Sequence, residues 1–458
     1  GCFTIMSIID LFRNKSILVV GAGTTGRSIA RFLNAEKIAF RIFDENTSEI
    51  DGFPTIGKLE ERFDYALISP GWRKNHKIIE ELRSNGCELI SELDLAWRLK
   101  EEISPDQKWL AVTGTNGKTT TIQMLESILN KSSFRAVACG NVGLTVLDAV
   151  ISPEKYEVLA IELSSFQIEW SKLPHYIAGA ILNISDDHID WHESFEAYAG
   201  SKIKLLNSAD TSIINLNDPE LILRANQVTG KKVYYGLDTP KAGELGLVED
   251  VLIDRAFSNS PDTAEVIAEI SDIKPTIPHN VSNALAAAGL ALSIGVPHPV
   301  IAEGLKEFKL DRHRMELVKS KDGIDWVNDS KATNPHAAAA ALGSYLSCVW
   351  IAGGLAKGAS MADLIRKSAS RIKAAILIGS DRELIAEQLA LYAPSAQITR
   401  LDMTGTPQQL LESVVQVAKS LATDGDTVLL SPACASMDQF KSYAERGKLF
   451  CEAVERLI

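Results

Sequence analysis

A strand–loop–helix pattern in KWLAVTGTNGKTTT (108–121) most constrains how this chain can fold. Its core, GTNGKT (114–119), places Lys118 and Thr119 at the start of a helical stretch. The backbone amides of such a loop cradle phosphates, while the lysine neutralises their oxygens and the hydroxyl binds Mg²⁺. The usual form has a further glycine where this chain has Val112. The sequence therefore predicts an ATP-binding loop of unusually short form.

A second glycine-rich turn lies near the N-terminus. GAGTTG (21–26) follows the apolar run SILVV (16–20), and Asp44 ends the next apolar run. This spacing is typical of a loop that brings the backbone close to a diphosphate at a helix N-terminus. Three interpretations stay open: a tight structural turn, an NAD site, or a site for another nucleoside diphosphate such as the UDP of an activated sugar.

The alternation of β-rich apolar runs with helical stretches predicts an α/β fold of parallel sheets with helices on both faces. We expect three domains: Rossmann-like at 1–104, P-loop ATPase-like at 105–309, and Rossmann-like again at 310–458. The ranges 240–263 and 303–312 are predicted to be linkers or irregular insertions.

Composition excludes several classes of function. A net charge of −12 without a Lys/Arg-rich stretch argues against a nucleic-acid partner. The six cysteines show no C-x-x-C spacing, which favours reduced thiols. Because no apolar run is long enough to span a membrane and no signal sequence is visible, we expect a soluble cytosolic protein without membrane insertion. The five residues before Met6 carry no structural signal and suggest either a cloning remnant or a misplaced start.

Polar residues cluster downstream of the ATP-binding loop. Glu162 ends an apolar run and is either a Mg²⁺ ligand or an acid that complements a helix dipole. DDHIDWH (186–192) is either a second cation site or a solvated acidic turn. Asn141, in a loop between these segments and the ATP-binding loop, could reach a substrate carbonyl.

Taken together, these segments resemble the Mur ligases in order and spacing, from Gly21 to Gly447. The segments are GTNGKTT (114–120), GNVG (140–143), ELSSFQ (162–167), DDHIDWH (186–192), YAGSK (198–202), HNVSNALAA (279–287), HR (313–314), NDSKATNP (328–335) and SPACASMDQFKSYAERG (431–447). The sequence SKAT (330–333) resembles the branch that adds D-glutamate, whereas sister ligases carry other residues there.

The resemblance implies ATP-dependent addition of D-glutamate to UDP-N-acetylmuramoyl-L-alanine through an acyl phosphate, in cytoplasmic peptidoglycan precursor synthesis. It implies ATP, two Mg²⁺ sites and a carbamylated Lys202 as cofactors. The expected partners are these small-molecule substrates, and we expect a monomer. Without carbamylation, Lys202 would be an ordinary surface lysine of a helix.

The resemblance also implies roles for individual residues. The implied ATP-binding residues are Gly114, Thr115, Asn116, Gly117, Lys118, Thr119, Thr120, Asn280, Asn283, Arg314 and Asp329. Those implied to bind the UDP substrate are Gly23, Thr24, Thr25, Asp44, Ser69, Gly71, Asn141, Ser164 and Gln167. Those of the D-glutamate pocket are Lys331, Thr333, Lys357, Ser436, Met437 and Tyr443. The implied metal ligands are Thr119, Glu162, His188 and Lys202. The implied catalytic residues are Lys118, Glu162, His188, Lys202, Arg314 and Lys331.

Two positions depart from the family pattern. Trp191 stands where an arginine is common after the metal-site histidine, and Glu45 stands where a threonine is frequent. Three alternatives remain beside the D-glutamate ligase: a sister ligase for another amino acid, an NAD-dependent oxidoreductase, and a non-catalytic ATP-gated binding module. A non-catalytic binding module would not need the predicted metal cluster or the C-terminal cations, yet the sequence contains both.

Overall fold

The computed structural model describes residues 6–185 and 189–458. The chain forms two compact units. The first comprises the chain through Thr276 together with Asn280–Phe308, and the second comprises Ile277–His279 together with Lys309–Ile458. Two β-sheets lie in the first unit and one in the second. The domain boundaries after residues 104 and 309 stay predictions.

The N-terminal sheet is a six-stranded α/β layer built around β1. Its strands are β1 (Ile17–Val20), β2 (Arg41–Phe43), β3 (Glu49–Ile50), β4 (Phe53–Ile56), β5 (Tyr65–Ile68) and β6 (Glu88–Ser91). Its helices are α1 (Ile8–Phe12), α2 (Thr24–Ala35), α3 (Lys77–Ser84) and α4 (Glu92–Ile103). The order is β3-β4-β2-β1-β5-β6, parallel except for the β3–β4 pair. Because the order reverses beside β1, a ligand crevice is expected where β1 and β5 end.

The central sheet has nine strands. They are β7 (Lys108–Thr113), β8 (Ala136–Gly140), β9 (Val158–Glu162), β10 (Tyr176–Ile181), β11 (Ala209–Asn215), β12 (Lys231–Tyr235), β13 (Glu244–Val248), β14 (Val251–Asp254) and β15 (Glu265–Glu269). The helices are α5 (Lys118–Lys131), α6 (Val146–Ile151), α7 (Ser165–Trp170), α8 (Ile189–His192), α9 (Phe195–Asn207), α10 (Pro219–Arg224), α11 (Pro278–Ser293) and α12 (His298–Glu307). The order is β15-β14-β13-β12-β11-β10-β7-β9-β8. The ends of β7, β9 and β10 therefore meet at one edge.

The prediction of a linker or irregular insertion at 240–263 is wrong. β13 and β14 form an antiparallel hairpin within that range, and β14 pairs with β15 in the same way. The turn between them needs only two residues, with Glu249 at φ 52°. The expectation of purely parallel sheets fails for the same reason, since antiparallel strands extend the edges. The second range, 303–312, is helical through Glu307, the end of α12.

The C-terminal sheet has six strands. They are β16 (Glu316–Lys321), β17 (Ile324–Asn328), β18 (Cys348–Gly353), β19 (Ile372–Ile378), β20 (Gln397–Arg400) and β21 (Thr427–Leu430). The helices are α13 (Pro335–Leu342), α14 (Ala362–Ser368), α15 (Arg382–Tyr392), α16 (Pro407–Leu421) and α17 (Tyr443–Leu457). The order is β16-β17-β21-β18-β19-β20, parallel except for β16. The loops that follow β17, β18 and β21 thus lie side by side.

Burial explains why the strand predictions near these loops succeeded. β1 and β18 are buried along their whole length, because helices cover both faces of a parallel sheet and the strands read as continuous apolar runs. The predicted α/β class is confirmed. In the described part of the chain, no helix combines the length and apolar character that crossing a bilayer requires.

Candidate active site

Asn183, just after β10, determines the backbone path of the 114–119 loop. Its Oδ1 accepts hydrogen bonds from the amides of Thr115 and Asn116, each at 2.9 Å. Its Nδ2 donates to the carbonyl of Asn116 at 2.9 Å. These two amides, which were expected to cradle phosphate, thus donate within the protein. The amides that we still predict to face phosphate are those of the first turn of α5, which begins with Gly117 at φ 87° as its N-cap.

The side chain of Thr115 fixes the other face of the loop. Its Oγ1 lies 2.9 Å from the Tyr198 hydroxyl and accepts a hydrogen bond from the amide of Ser185 at 3.0 Å. On the opposite side, a Cβ added to Gly117 would lie 2.8 Å from Oδ1 of Asn283. The predicted residue Asn283 is therefore adjacent to the loop, and only glycine leaves room for it.

The residue that replaces the usual first glycine is part of a strand. Val112 is fully buried in β7 and pairs with Glu162 of β9. The turn therefore starts at Gly114, whose φ is 153°. The motif is shorter because β7 continues through Val112 and Thr113. The phosphate-type loop therefore still forms without the usual first glycine, starting two residues later.

Lys118, Thr119 and Glu162 meet at the edge formed by β7 and β9. Nζ of Lys118 donates to the carbonyl of Gly114 at 2.7 Å. The hydroxyl of Thr119 lies 3.3 and 3.2 Å from the two carboxylate oxygens of Glu162, which is buried at the end of β9. A hydroxyl and a carboxylate are oxygen donors of the kind that Mg²⁺ prefers. The pair fits a Mg²⁺ that keeps several of its waters.

Lys202 is not the surface lysine that one interpretation predicted. Only 2% of it is exposed, on α9. Its Nζ lies 3.2 Å from Oγ1 of Thr113, at the end of β7, and 4.7 Å from the ring centroid of Tyr198. Burial of a lysine is rare and costly unless its charge is compensated or removed. The helix thus brings Lys202 to the strand end from which the phosphate loop begins.

The predicted second cation site cannot be described. Asp186, Asp187 and His188 lie outside the described residues. His192 is buried, and its Nε2 lies 2.8 Å from the hydroxyl of Ser165. Among the described residues, no group of three or more His, Cys, Asp or Glu side chains is arranged to hold a metal ion.

The first glycine loop has the geometry of a close helix–strand turn. A Cβ on Gly26 would lie 1.9 Å from the carbonyl oxygen of Gly21, so this glycine is required for α2 to pack against β1. α2 begins at Thr24 and continues through Thr25, and its N-cap Gly23 offers no side chain to the first-turn amides. An anion at these amides would satisfy them.

The other predicted UDP contacts occupy neighbouring positions. Ser69 follows β5, and its buried hydroxyl has no hydrogen-bond partner in the part of the chain that the structure describes. A Cβ on Gly21 would lie 2.7 Å from that hydroxyl. Asp44 shapes its own turn, because its Oδ1 accepts from the amides of Asn46 and Thr47 at 2.8 and 2.9 Å. Only its second oxygen can make the predicted ligand contact.

Three further predicted UDP-substrate residues follow β8 and β9. The amide of Asn141 donates to the carbonyl of Glu162 at 3.0 Å, which brings the two loops together. Ser164 and Gln167 form a reciprocal capping box that starts α7, with bonds of 3.2 and 2.9 Å. The polar side chains of Ser164 and Gln167 thus already have a structural function in capping α7. Trp191, the departure from the family pattern, donates from Nε1 to the carbonyl of Gly71 at 3.0 Å.

In the second unit, Asp329 lies directly after β17. Its Oδ2 accepts from the hydroxyl of Ser431 at 2.8 Å and its Oδ1 from the amide of Met315 at 3.1 Å. Burial raises the pKa of Asp329 to about 7, although these hydrogen bonds and the charge of Arg314 lower it. The buried Nε of Arg314 has no hydrogen-bond partner among the described residues. Burial, with a smaller effect of Arg314, lowers the pKa of His279 to about 4.

The predicted D-glutamate residues lie on the loops after β17, β18 and β21, except for Tyr443, which begins α17. Nζ of Lys331 lies 3.3 Å from Oδ2 of Asp311 and 5.8 Å from the ring centroid of Tyr443. Reciprocal backbone hydrogen bonds of 2.9 Å join Leu355 to Ala435, which links the loop of Lys357 to that of Ser436. The other residues of this set differ in solvent exposure. Thr333 is half-buried and Ser436 is buried, whereas Lys357 and Met437 are exposed.

Comparison with known proteins decides the family. Residues 112–291 match the Mur ligase middle domain, and residues 313–434 match the Mur ligase glutamate ligase domain. The UDP-N-acetylmuramoylalanine–D-glutamate ligase of Thermobifida fusca (strain YX) is 43% identical over 467 residues, which cover 97% of this chain and 99% of the relative. The chain belongs to the Mur ligase family, among its UDP-N-acetylmuramoylalanine–D-glutamate ligases. The predicted resemblance and enzyme class are confirmed, and the oxidoreductase and binding-module alternatives are not supported.

Solved structures show that this Mur ligase has the fold of its family. A pseudomurein peptide ligase type C from Methanothermus fervidus aligns over 97% of this chain and 100% of its own, with a TM-score of 0.58 at 20% identity. A MurF ligase from Thermotoga maritima, solved in complex with ADP, aligns over 86% of this chain and 95% of its own, with a TM-score of 0.55 at 16% identity. The predicted three-domain α/β class is confirmed.

Sequence reasoning missed residues that support this Mur ligase's loops. Asn183 and Tyr198 shape the phosphate loop from other strands and helices, and Arg446 is fully buried in the second unit. The guanidinium of Arg446 donates to Oγ and the carbonyl of Ser330, at 2.9 and 2.8 Å, and to the carbonyl of Cys434 at 3.1 Å. Asn183 could have been found from the sequence, because it is a polar residue that closely follows the apolar run of β10.

Substituting Asn183→Ala should raise the KM for ATP roughly tenfold or more, because two loop amides lose their acceptor. Asn183→Asp keeps the acceptor and should bind ATP better than the alanine variant, despite its added charge. Steady-state ADP release checks both. Asn207→Ala, which removes an exposed amide of α9 that accepts from Thr229, is the control and should leave the KM unchanged. An unchanged KM in Asn183→Ala would contradict this role.

Asp329 should make the stability of the protein depend on pH. Its pKa is raised on folding from 3.8 to about 7, so its contribution is fully present below pH 3.8 and is lost as pH rises through about 7. The melting temperature of the wild type should therefore fall relative to Asp329→Asn between about pH 4 and 7. Ser431→Ala removes the hydroxyl whose hydrogen bond lowers the pKa of Asp329. The pH range in which the melting temperature falls should therefore move upward. A difference between wild type and Asp329→Asn that stays constant with pH would refute the assignment.

Proposed function

We propose that this Mur ligase joins D-glutamate to UDP-N-acetylmuramoyl-L-alanine at the expense of ATP. An oxygen of the substrate carboxylate attacks the γ-phosphorus of ATP, and ADP leaves. The amine of D-glutamate then attacks the resulting acyl phosphate, phosphate leaves and the amine loses a proton. The adjacency of Lys118, Thr119 and Glu162 at the N-terminus of α5 is the observation that carries the proposal.

The first unit carries two anion sites for two different phosphate groups. The amides at the start of α5 and Lys118 would hold the phosphates of ATP, with Asn283 of α11 beside Gly117 and Asn280 three residues earlier on the same helix. The open N-terminus of α2, with Ser69, would hold the diphosphate of the UDP substrate. The UDP end is remote from the reacting carboxylate, so its binding anchors the substrate. The carboxylate is then held in position for reaction with ATP and need not meet it by free diffusion.

Thr119 and Glu162 would hold a Mg²⁺ ion, and the buried position of Lys202 suits a carbamate. A Mg²⁺ ion here supplies charge neutralisation for phosphoryl transfer between two anions. In the second unit, Nε of Arg314 has no hydrogen-bond partner among the described residues and would be a donor for an anionic oxygen. The two predicted Mg²⁺ sites, the cytoplasmic location and the monomeric state stay predictions.

Residues of the second unit support glutamate as the amino acid. Lys331 and Lys357 provide two cations for two carboxylates, and the hydroxyls of Thr333 and Ser436 provide additional donors. Met437 and Tyr443 complete the proposed pocket. A sister ligase that adds a neutral amino acid would have no use for the second cation.

ADP release in the presence of UDP-N-acetylmuramoyl-L-alanine and a panel of amino acids tests this function. D-glutamate should be used far better than L-glutamate, L-alanine or a diamino acid, because only it presents two carboxylates in the required hand. Lys357→Ala should raise the KM for D-glutamate without changing the KM for ATP. Equal use of L-alanine would assign the protein to a sister activity.

Carbamylation of Lys202 has a direct test. With carbon-13 bicarbonate, the wild type should show a carbamate resonance that Lys202→Ala lacks, and its activity should fall on CO₂ depletion and return with bicarbonate. Lys202→Ala should lose most activity, and Lys202→Glu should restore part of it by returning a negative charge.

The matched control for carbamylation is Lys204→Ala. It removes a half-buried lysine of the same helix that donates to backbone carbonyls, and it should keep the bicarbonate response. A fully active Lys202→Ala, or no carbamate resonance in the wild type, would disprove the proposal.

A further inference from the structure

The loop at residues 69–75, here called the 69–75 loop, is held in place by side chains of α7, α8 and Glu193. The indole Nε1 of Trp191 donates to the carbonyl of Gly71 at 3.0 Å. One residue further, the indole Nε1 of Trp170 donates to the carbonyl of Trp72 at 2.8 Å. Two tryptophans from α7 and α8 thus bind adjacent carbonyls of one loop.

Two polar contacts fasten the other end of the 69–75 loop. Nζ of Lys74 lies 3.0 Å from Oε1 of Glu169. Nδ2 of Asn75 donates to Oε1 of Glu193 at 2.8 Å. All four contacts connect the loop to the segment around α7 and α8, which begins three residues after Glu162. The loop's position is therefore tied to the part of the chain that carries the proposed metal ligand.

Two cavities border the 69–75 loop at residues 73–75. One, of about 390 Å³, is lined by residues 73–75 of the loop, by Trp191 and by one face of α9. The other, of about 320 Å³, is lined by Lys74, Trp170 and residues of β6 and α4. Near its middle, the loop packs through the ring of Trp72, whose centroid lies 5.7 Å from that of Phe43. The indole–carbonyl bonds are therefore expected to set the loop's position together with this contact.

The inner side of the 69–75 loop faces the first glycine turn. A Cβ on Gly21 would lie 2.7 Å from Oγ of Ser69 and 2.9 Å from Nε1 of Trp72. The Ser69 hydroxyl, which has no hydrogen-bond partner among the described residues, and the Trp72 indole N–H therefore lie beside the loop that precedes α2. A small displacement of the 69–75 loop would move both donors relative to a diphosphate bound there.

We propose that Trp191 is a positioning residue for the UDP end of the substrate, acting through the carbonyl of Gly71. The inference rests on the proposed function, because it assumes that the first glycine turn holds a nucleoside diphosphate. The ring of Trp191 packs against that of Phe166, with centroids 4.6 Å apart and planes tilted by 35°, so this contact orients the indole and its N–H holds the carbonyl of Gly71. Trp191 itself touches neither ATP nor the reacting carboxylate in this proposal.

Trp191→Phe removes the donor and keeps an aromatic ring against Phe166. The KM for UDP-N-acetylmuramoyl-L-alanine should rise roughly 3- to 10-fold, the effect of one lost neutral hydrogen bond. The KM for ATP and kcat should remain unchanged within error. Trp191→Ala also loses the ring contact with Phe166 and should show a larger rise in the KM for UDP-N-acetylmuramoyl-L-alanine. Calorimetric titration with UDP alone should show the same order of affinities.

The matched control is Trp97→Phe. Trp97 lies on α4, 5.0 Å from the ring of Trp109 and away from the loop, so this variant should leave all kinetic constants unchanged. Asn75→Ala tests the inference independently of any core residue, because its contact to Glu193 is exposed. It should raise the same KM by a smaller factor, whether or not Trp191→Phe folds.

Unchanged UDP-substrate KM values in both Trp191→Phe and Asn75→Ala would overturn the proposal. A parallel change of kcat, the KM for ATP and the melting temperature in Trp191→Phe would also overturn it, since that pattern indicates a general structural role. If the wild type binds UDP but shows no ligase turnover, the proposed function fails separately. The UDP affinity of Trp191→Phe relative to the wild type still decides the inference.

Discussion

The carboxamide of Asn183 holds the backbone of the 114–119 loop through three hydrogen bonds, and the proposed ATP site depends on this contact. By occupying the amides of Thr115 and Asn116, it forces the loop to present the first turn of α5 instead. A ligand-binding loop made of glycine and small polar residues has little packing of its own. Its order must come from hydrogen bonds to a rigid element, and here that element is the end of β10.

Carboxylates in both units are paired with hydroxyl groups. Glu162 is paired with the hydroxyl of Thr119, and Asp329 with that of Ser431. A neutral donor compensates part of the desolvation of a buried carboxylate but leaves its charge in place. That arrangement suits residues that must later attract a cation or accept from a ligand.

Local patterns were enough to predict the loops but not their supports. The 114–119 loop follows from glycines, a lysine and an apolar strand that are contiguous in sequence. The support from Asn183 depends on the parallel pairing of β7 with β10, which brings together residues 67 and 68 positions apart. The burial of Lys202 likewise depends on where α9 packs. The β13–β14 hairpin was missed because both strands are short and β13 contains a glutamate and a glycine, so the apolar signal is weak.

Trp191 makes a local contact at a position where an arginine is common in the family pattern. An arginine at this position would add a cation, whereas the indole supplies one neutral donor and a large apolar surface. Here that donor binds the carbonyl of Gly71, and the ring packs against that of Phe166. The substitution therefore replaces a long-range charge with a short-range geometric constraint. Because a hydrogen bond to a backbone carbonyl acts only on the segment that it contacts, its influence on the substrate should pass through the 69–75 loop.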